Sequence, residues 1–135
     1  MVVLGAEVLT IGSGDDVVRA RQLARRSAVD CGFGLVDLTR IVTATSELAR
    51  NTLVHGAGGT MTVELVFDGG RRGLRITFSD AGPGIADIEA AMRPGFTTGN
   101  GLGLGLGGAR RLVDEFTLES VLGRGTQVVV VKWTR

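Results

Sequence analysis

Lysine is nearly missing from this 135-residue chain, which has one; proline occurs twice, cysteine and tryptophan once each, and tyrosine not at all. The lone lysine, Lys132, lies near the end of the sequence, so no glycine-rich loop closing on Lys-Ser or Lys-Thr exists, and a Walker-type phosphate loop is excluded. The lone cysteine, Cys31, has no partner within the chain for a disulfide; at the end of a predicted helix it reads as a small buried apolar residue. Five phenylalanines, one tryptophan and a net charge of +1 leave no basic, aromatic-interleaved surface for nucleic acid. No apolar run approaches the ~18 residues of a membrane helix. The stretch from Met1 to Ile11 also lacks the basic start and small-residue cleavage site of a secretory signal. A cytoplasmic protein without nucleic-acid or membrane partners is therefore expected.

A hydrophobic fraction of 44%, a charged fraction of 21% and a mean hydropathy of +0.26 predict one globular domain over residues 1–135. Val2 to Ile11 reads as a strand, and the following GSGDD supplies turn residues and an acidic helix start. A first helix is predicted from Val17 to Cys31, broken by Gly32 to Gly34. Asp37 is then the expected cap of a second helix, along which Leu38, Ile41, Val42, Thr45, Leu48, Ala49, Thr52 and Leu53 recur at three- and four-residue spacing. Glu47, Asn51 and His55 fall at the edge of that apolar stripe, where polar heads can line a cavity beside the core. Without further context, Glu47 would be a surface ion pair with Arg50 or Arg40.

Met61, Val63, Leu65 and Phe67, then Leu74, Ile76 and Phe78, alternate with their neighbours on either side of DGGRRG, which predicts an antiparallel hairpin. Two residues past Phe78, Asp80 falls on the same inward face. A carboxylate there costs free energy unless something binds it. A loop is expected up to Gly101, then a third helix from about Leu104 to Asp114, a strand from Phe116, and a last strand from Thr126 to Trp133.

The chain holds 22 glycines, more than twice the ~7% average share, many of them in DAGPGI (80–85) and GNGLGLGLGG (99–108). Glycine lets the backbone approach a ligand closely, and the free N–H groups at the start of the third helix suit phosphate. Gly103, Gly105 and Gly108 also match a dinucleotide fingerprint, but no strand runs into them and no βαβ unit surrounds them. Protein kinases of the H-R-D and D-F-G type are excluded because both segments are missing.

Taken in order, Glu47 with Asn51, then Asp80, Gly82 and Gly84, then the 101–106 run, and GRGT at 123–126, resemble the Bergerat ATP-binding fold of the GHKL (HATPase_c-like) superfamily. The resemblance implies an α+β two-layer sandwich, with a mixed, mostly antiparallel sheet and helices on one face. At this length it narrows to the small anti-sigma and switch-kinase branch, and ARQLARR, GFG, SELARN, RRLVDEF and VKWTR resemble serine/threonine switch kinases of the stressosome. Such a kinase would use ATP and Mg2+ to phosphorylate STAS-domain scaffold or antagonist proteins and, once released, activate a metal-dependent serine phosphatase. The alternative within the branch is an anti-sigma factor that binds a sigma factor and phosphorylates its STAS-domain antagonist.

By the same resemblance Glu47 is the expected catalytic base, and Asn51 the metal and nucleotide ligand. Asp80 is the acceptor for the adenine amino group, and Gly82, Gly84 and Ile85 adjoin the base. Gly101, Gly103, Leu104, Gly105 and Leu106 are the expected residues over the phosphates, and Thr126 helps to hold Asp80 or a bridging water. Thr97 and Thr98 belong to the expected lid, which offers no lysine for the γ-phosphate and leaves Arg93 as its substitute.

Overall fold

A computed structural model describes residues 1–93 and 105–135. The alternating segments form β1 (Val2–Ile11), β2 (Gly59–Asp68), β3 (Arg71–Asp80), β4 (Glu115–Val121) and β5 (Gly125–Trp133) of one sheet, in the order β1-β2-β3-β5-β4. All four ladders are antiparallel, so among the described residues the sheet is antiparallel throughout and not mixed. Met61 pairs with Phe78 and Phe78 with Val128. This register puts Met61, Val63, Leu74, Ile76, Phe78, Val128 and Val130 together in the core.

The helices α1 (Gly14–Cys31) and α2 (Leu35–Val54) pack on one another and on the sheet. Ala20, Leu23, Ala24 and Ala28 from α1 and Ile41, Ala44, Leu48 and Ala49 from α2 join the same core, which is the burial their helical spacing predicts. Cys31 is buried with them, and burial pushes its thiol up from the usual value. On the opposite face of the sheet a smaller cluster joins Val66, Val131 and Trp133, with the Arg71 guanidinium 4.2 Å from the indole centroid.

Several boundaries differ from expectation for local reasons. The first helix begins at Gly14, so Asp15 and Asp16 lie inside its first turn, where negative charge is favoured. The cap of α2 is Gly34, and Asp37 also lies in the first turn, beside Arg40 at 3.2 Å, Lys132 at 3.5 Å and Arg135 at 3.7 Å. Leu35 and Val36 are 77% and 64% exposed, off the apolar stripe, so periodicity missed this start. The expected loop before residue 101 contains a one-turn helix, α3 (Ile88–Ala91), capped by Asp87 accepting from the Ala90 N–H. The last helix, α4, runs from Gly105 to Arg111. Among the described residues no helix is long and apolar enough to cross a membrane.

Candidate functional site

The helix α2 carries Glu47 and Asn51 one turn apart, both half-buried, above fully buried Leu48, Ala49 and Thr52. The packing beneath fixes which way this part of the helix turns, and Thr52 Oγ1 donates back to the Leu48 carbonyl at 3.0 Å. The Glu47 carboxylate stands 3.5 Å from Arg50 Nη1. Arg40, the other cation within reach by sequence, pairs with Asp37 instead.

Asp80 ends β3, with Gly59 and Thr126 as its cross-strand neighbours. Its Oδ1 accepts the Gly82 N–H at 2.9 Å, and its Cβ, Cγ and Oδ2 lie against the α-carbon of Gly56, where a methyl group would overlap them. Gly56 is two residues past α2, so it joins the end of the helix that bears Asn51 to the end of the strand that bears Asp80. Gly82 closes on the same point: a Cβ there would stand 2.8 Å from the Gly56 α-carbon and 2.9 Å from its carbonyl oxygen. Only two glycines permit so close an approach of backbones.

The rest of the 80–85 loop is tied to the β4–β5 turn. Gly84 has φ +78° and lies against the Val121 carbonyl. Pro83 accepts the Gly123 N–H at 2.8 Å, and the Ile85 N–H donates to Ser120 Oγ at 2.8 Å. Ser120 Oγ lies 2.9 Å from Thr126 Oγ1. Thr126 thus meets Asp80 through the strand ladder, and its hydroxyl is engaged by Ser120.

From α4, Gly105 approaches Asn51: a Cβ on it would stand 3.7 Å from Asn51 Nδ2. Leu106, beside it, is buried in the core. Asn51, Asp80, Gly82, Gly84, Ile85, Gly105 and Thr126 are therefore linked at one end of the sheet by the contacts above, and Glu47 stands one turn before Asn51 on α2. Gly101, Gly103 and Leu104, with Thr97 and Thr98, lie outside the described residues. Arg93 is exposed just beyond α3. Lys132 is far from Asp80: it stands six residues along β5 from Thr126, about 20 Å at strand rise, and is 5% exposed between Asp37 and Asp114.

Two participants escaped the sequence reading. Gly56 sits in HGAGG, which reads locally as a helix-ending turn, and its partner is 24 residues away; Ser120 was one polar residue in an alternating strand. The hydroxyl's place opposite the DAGPGI loop becomes visible only when β4 pairs with β5. Among the described residues no group of three or more His, Cys, Asp or Glu side chains can hold a metal ion. The amide of Asn51 suits Mg2+, which commonly keeps its waters and takes substrate phosphates with only one or two protein ligands.

Comparison with known proteins places this geometry among relatives. The family model for histidine kinase-, DNA gyrase B- and HSP90-like ATPases matches residues 36–134. The chain is 52% identical over 120 residues to the serine/threonine-protein kinase RsbT of Bacillus subtilis, spanning 89% of this chain and 90% of that one. It is 32% identical to the anti-sigma F factor of a Thermoanaerobacter species, spanning 84% of this chain and 82% of that protein. Among solved structures it resembles the RsbU and RsbW domains of a Mycobacterium tuberculosis protein, with a TM-score of 0.66 at 21% identity, over 97% of this chain and 33% of that one.

Proposed function

Because the chain belongs to the histidine kinase-, DNA gyrase B- and HSP90-like ATPase family, we propose that it is an ATP-dependent serine/threonine protein kinase acting in a partner-switching pathway. The observation that carries this reading is the 52% identity to a serine/threonine kinase over nearly the whole length. The gathering of Glu47, Asn51 and Asp80 at one end of the sheet supports it. The whole of residues 1–135 acts as one kinase domain, in the cytoplasm. Its protein substrate is a STAS-domain scaffold or antagonist, and a metal-dependent serine phosphatase is its second partner.

In this reading Asp80 selects the base: its Oδ1 accepts the Gly82 N–H, its carboxylate keeps further lone pairs for the adenine amino group, and guanine, which presents a carbonyl there, is refused. Glu47 orients the acceptor serine or threonine and takes its proton as the hydroxyl oxygen bonds to the γ-phosphorus. The bond from that phosphorus to the β,γ-bridging oxygen breaks, and ADP leaves. Asn51 holds Mg2+ through its amide oxygen, and the ion, when bound, neutralises charge on the phosphates. Gly105, whose backbone approaches the Asn51 amide, adjoins the phosphates. Gly84, Ile85 and Thr126 hold the loop that carries Asp80.

Incubating a STAS-domain protein and a sigma factor from the same organism separately with this protein, Mg2+ and ATP, and weighing each intact, tests the reading. Phosphate should appear on the STAS protein with the native chain and not with Glu47→Ala, although the variant still binds nucleotide. Phosphorylation undiminished in Glu47→Ala rejects its role as base. The second reading, an anti-sigma factor, is favoured by the 32% identity to anti-sigma F factors. A stable complex with the sigma factor would promote it.

A further inference from the structure

We infer that Arg50 is a positioning residue for phosphoryl transfer: its guanidinium holds the Glu47 carboxylate in place against the repulsion of the bound triphosphate. The inference rests on the kinase reading of this site. Three acid-to-arginine pairs spaced i,i+3 occur on the described helices: Asp16 with Arg19 at 2.7 Å, Asp37 with Arg40 at 3.2 Å, and Glu47 with Arg50 at 3.5 Å. The first two are hydrogen-bonded; the third is the longest and makes no hydrogen bond within the described residues. That difference matters for a base. An ionised carboxylate offers about four lone-pair sites, and an ion pair at 3.5 Å without a hydrogen bond restrains the group while leaving all of them open to the acceptor's proton.

The surroundings make a restraint necessary. Glu47 is 18% exposed and Arg50 45% exposed, and neither has another ion-pair partner among the described residues. A half-buried carboxylate one turn from the residue assigned to the metal and phosphates is driven outward by the charge of the nucleotide. The only lysine is committed to Asp37 and Asp114 elsewhere in the fold. Among the described side chains the cation beside Glu47 is that of Arg50, rooted on the same helix turn.

Phosphorylation of the STAS protein is the assay, with the native chain, Arg50→Met and Arg50→Lys, together with ADP affinity and thermal midpoint for each. Arg50→Met should lower kcat about tenfold or more, as a misplaced reacting group does. KM for ATP and ADP affinity should stay within about twofold, and Arg50→Lys should recover most of the rate because it restores the charge. A kcat for Arg50→Met within about twofold of native overturns the inference while leaving the kinase reading intact. Equal loss in Arg50→Met and Arg50→Lys with a lowered thermal midpoint overturns it in favour of a structural role. No transfer by the native chain sinks the kinase reading, and this inference with it.

Discussion

Replacing Gly56 with alanine tests the contact that joins the helix of the site to its strand. The backbone of Gly56 lies outside the positive-φ region, so alanine introduces no backbone strain; the stiffer unfolded chain adds about 0.4–1 kcal/mol of stability, and the penalty comes from the new methyl group. That methyl would overlap Cβ, Cγ and Oδ2 of Asp80. The aspartate side chain is short, its Cβ is fixed by β3, and Oδ1 is held by Gly82, so the carboxylate has little room to move aside. Overpacking of this kind costs about 1–3 kcal/mol. If the displaced group is the one that recognises adenine, a cost of ~1–3 kcal/mol corresponds to a roughly 5- to 150-fold weaker nucleotide complex. Calorimetric titration with ADP, beside a urea unfolding curve, separates binding from stability. A variant that is destabilised yet binds ADP within about twofold of native would refute the placement of Asp80 as the adenine acceptor.

Asp80→Asn should weaken ADP at least about tenfold, since it removes an ionised acceptor whose hydrogen bonds are the stronger kind; an unchanged dissociation constant would take Asp80 out of the pocket. Asn51→Ala should abolish the response of nucleotide affinity to Mg2+, and a magnesium titration superimposable on native would reject the ligand assignment. The Asp114 carboxyl should make the fold acid-sensitive. Burial raises its pKa, but the Trp133 backbone N–H, Lys132 and Arg135 outweigh burial and hold it below the usual value of 3.8. A depressed carboxylate adds stability that is fully present above the unfolded pKa and lost as pH falls through the folded one. The urea midpoint should therefore drop as pH is lowered from 5 through and below 3.8, and Asp114→Asn should flatten that drop; an equally steep fall in the variant would refute the assignment.

Much of the architecture was decided by residue order alone. The alternation of Met61 to Phe67 and of Leu74 to Phe78 produced the hairpin, and the stripe from Leu38 to Leu53 produced α2, because burial on one face imposes a period that is written locally. The same stripe placed Glu47 and Asn51 at its edge, and the period of β3 put Asp80 on the inner face. Tertiary structure alone decided what these groups meet. Gly56 and Asp80 are 24 residues apart, and their contact exists only because α2 ends where β3 ends; Ser120 reaches the Ile85 N–H only through β4 pairing with β5. Asp37, which looked like a cap by its local neighbours, lies within the first turn of α2, where it faces Lys132 from the last strand. Periodicity is a property of neighbouring residues and can be read along the chain, whereas the partner of a polar group or a glycine is chosen by the packing of distant segments.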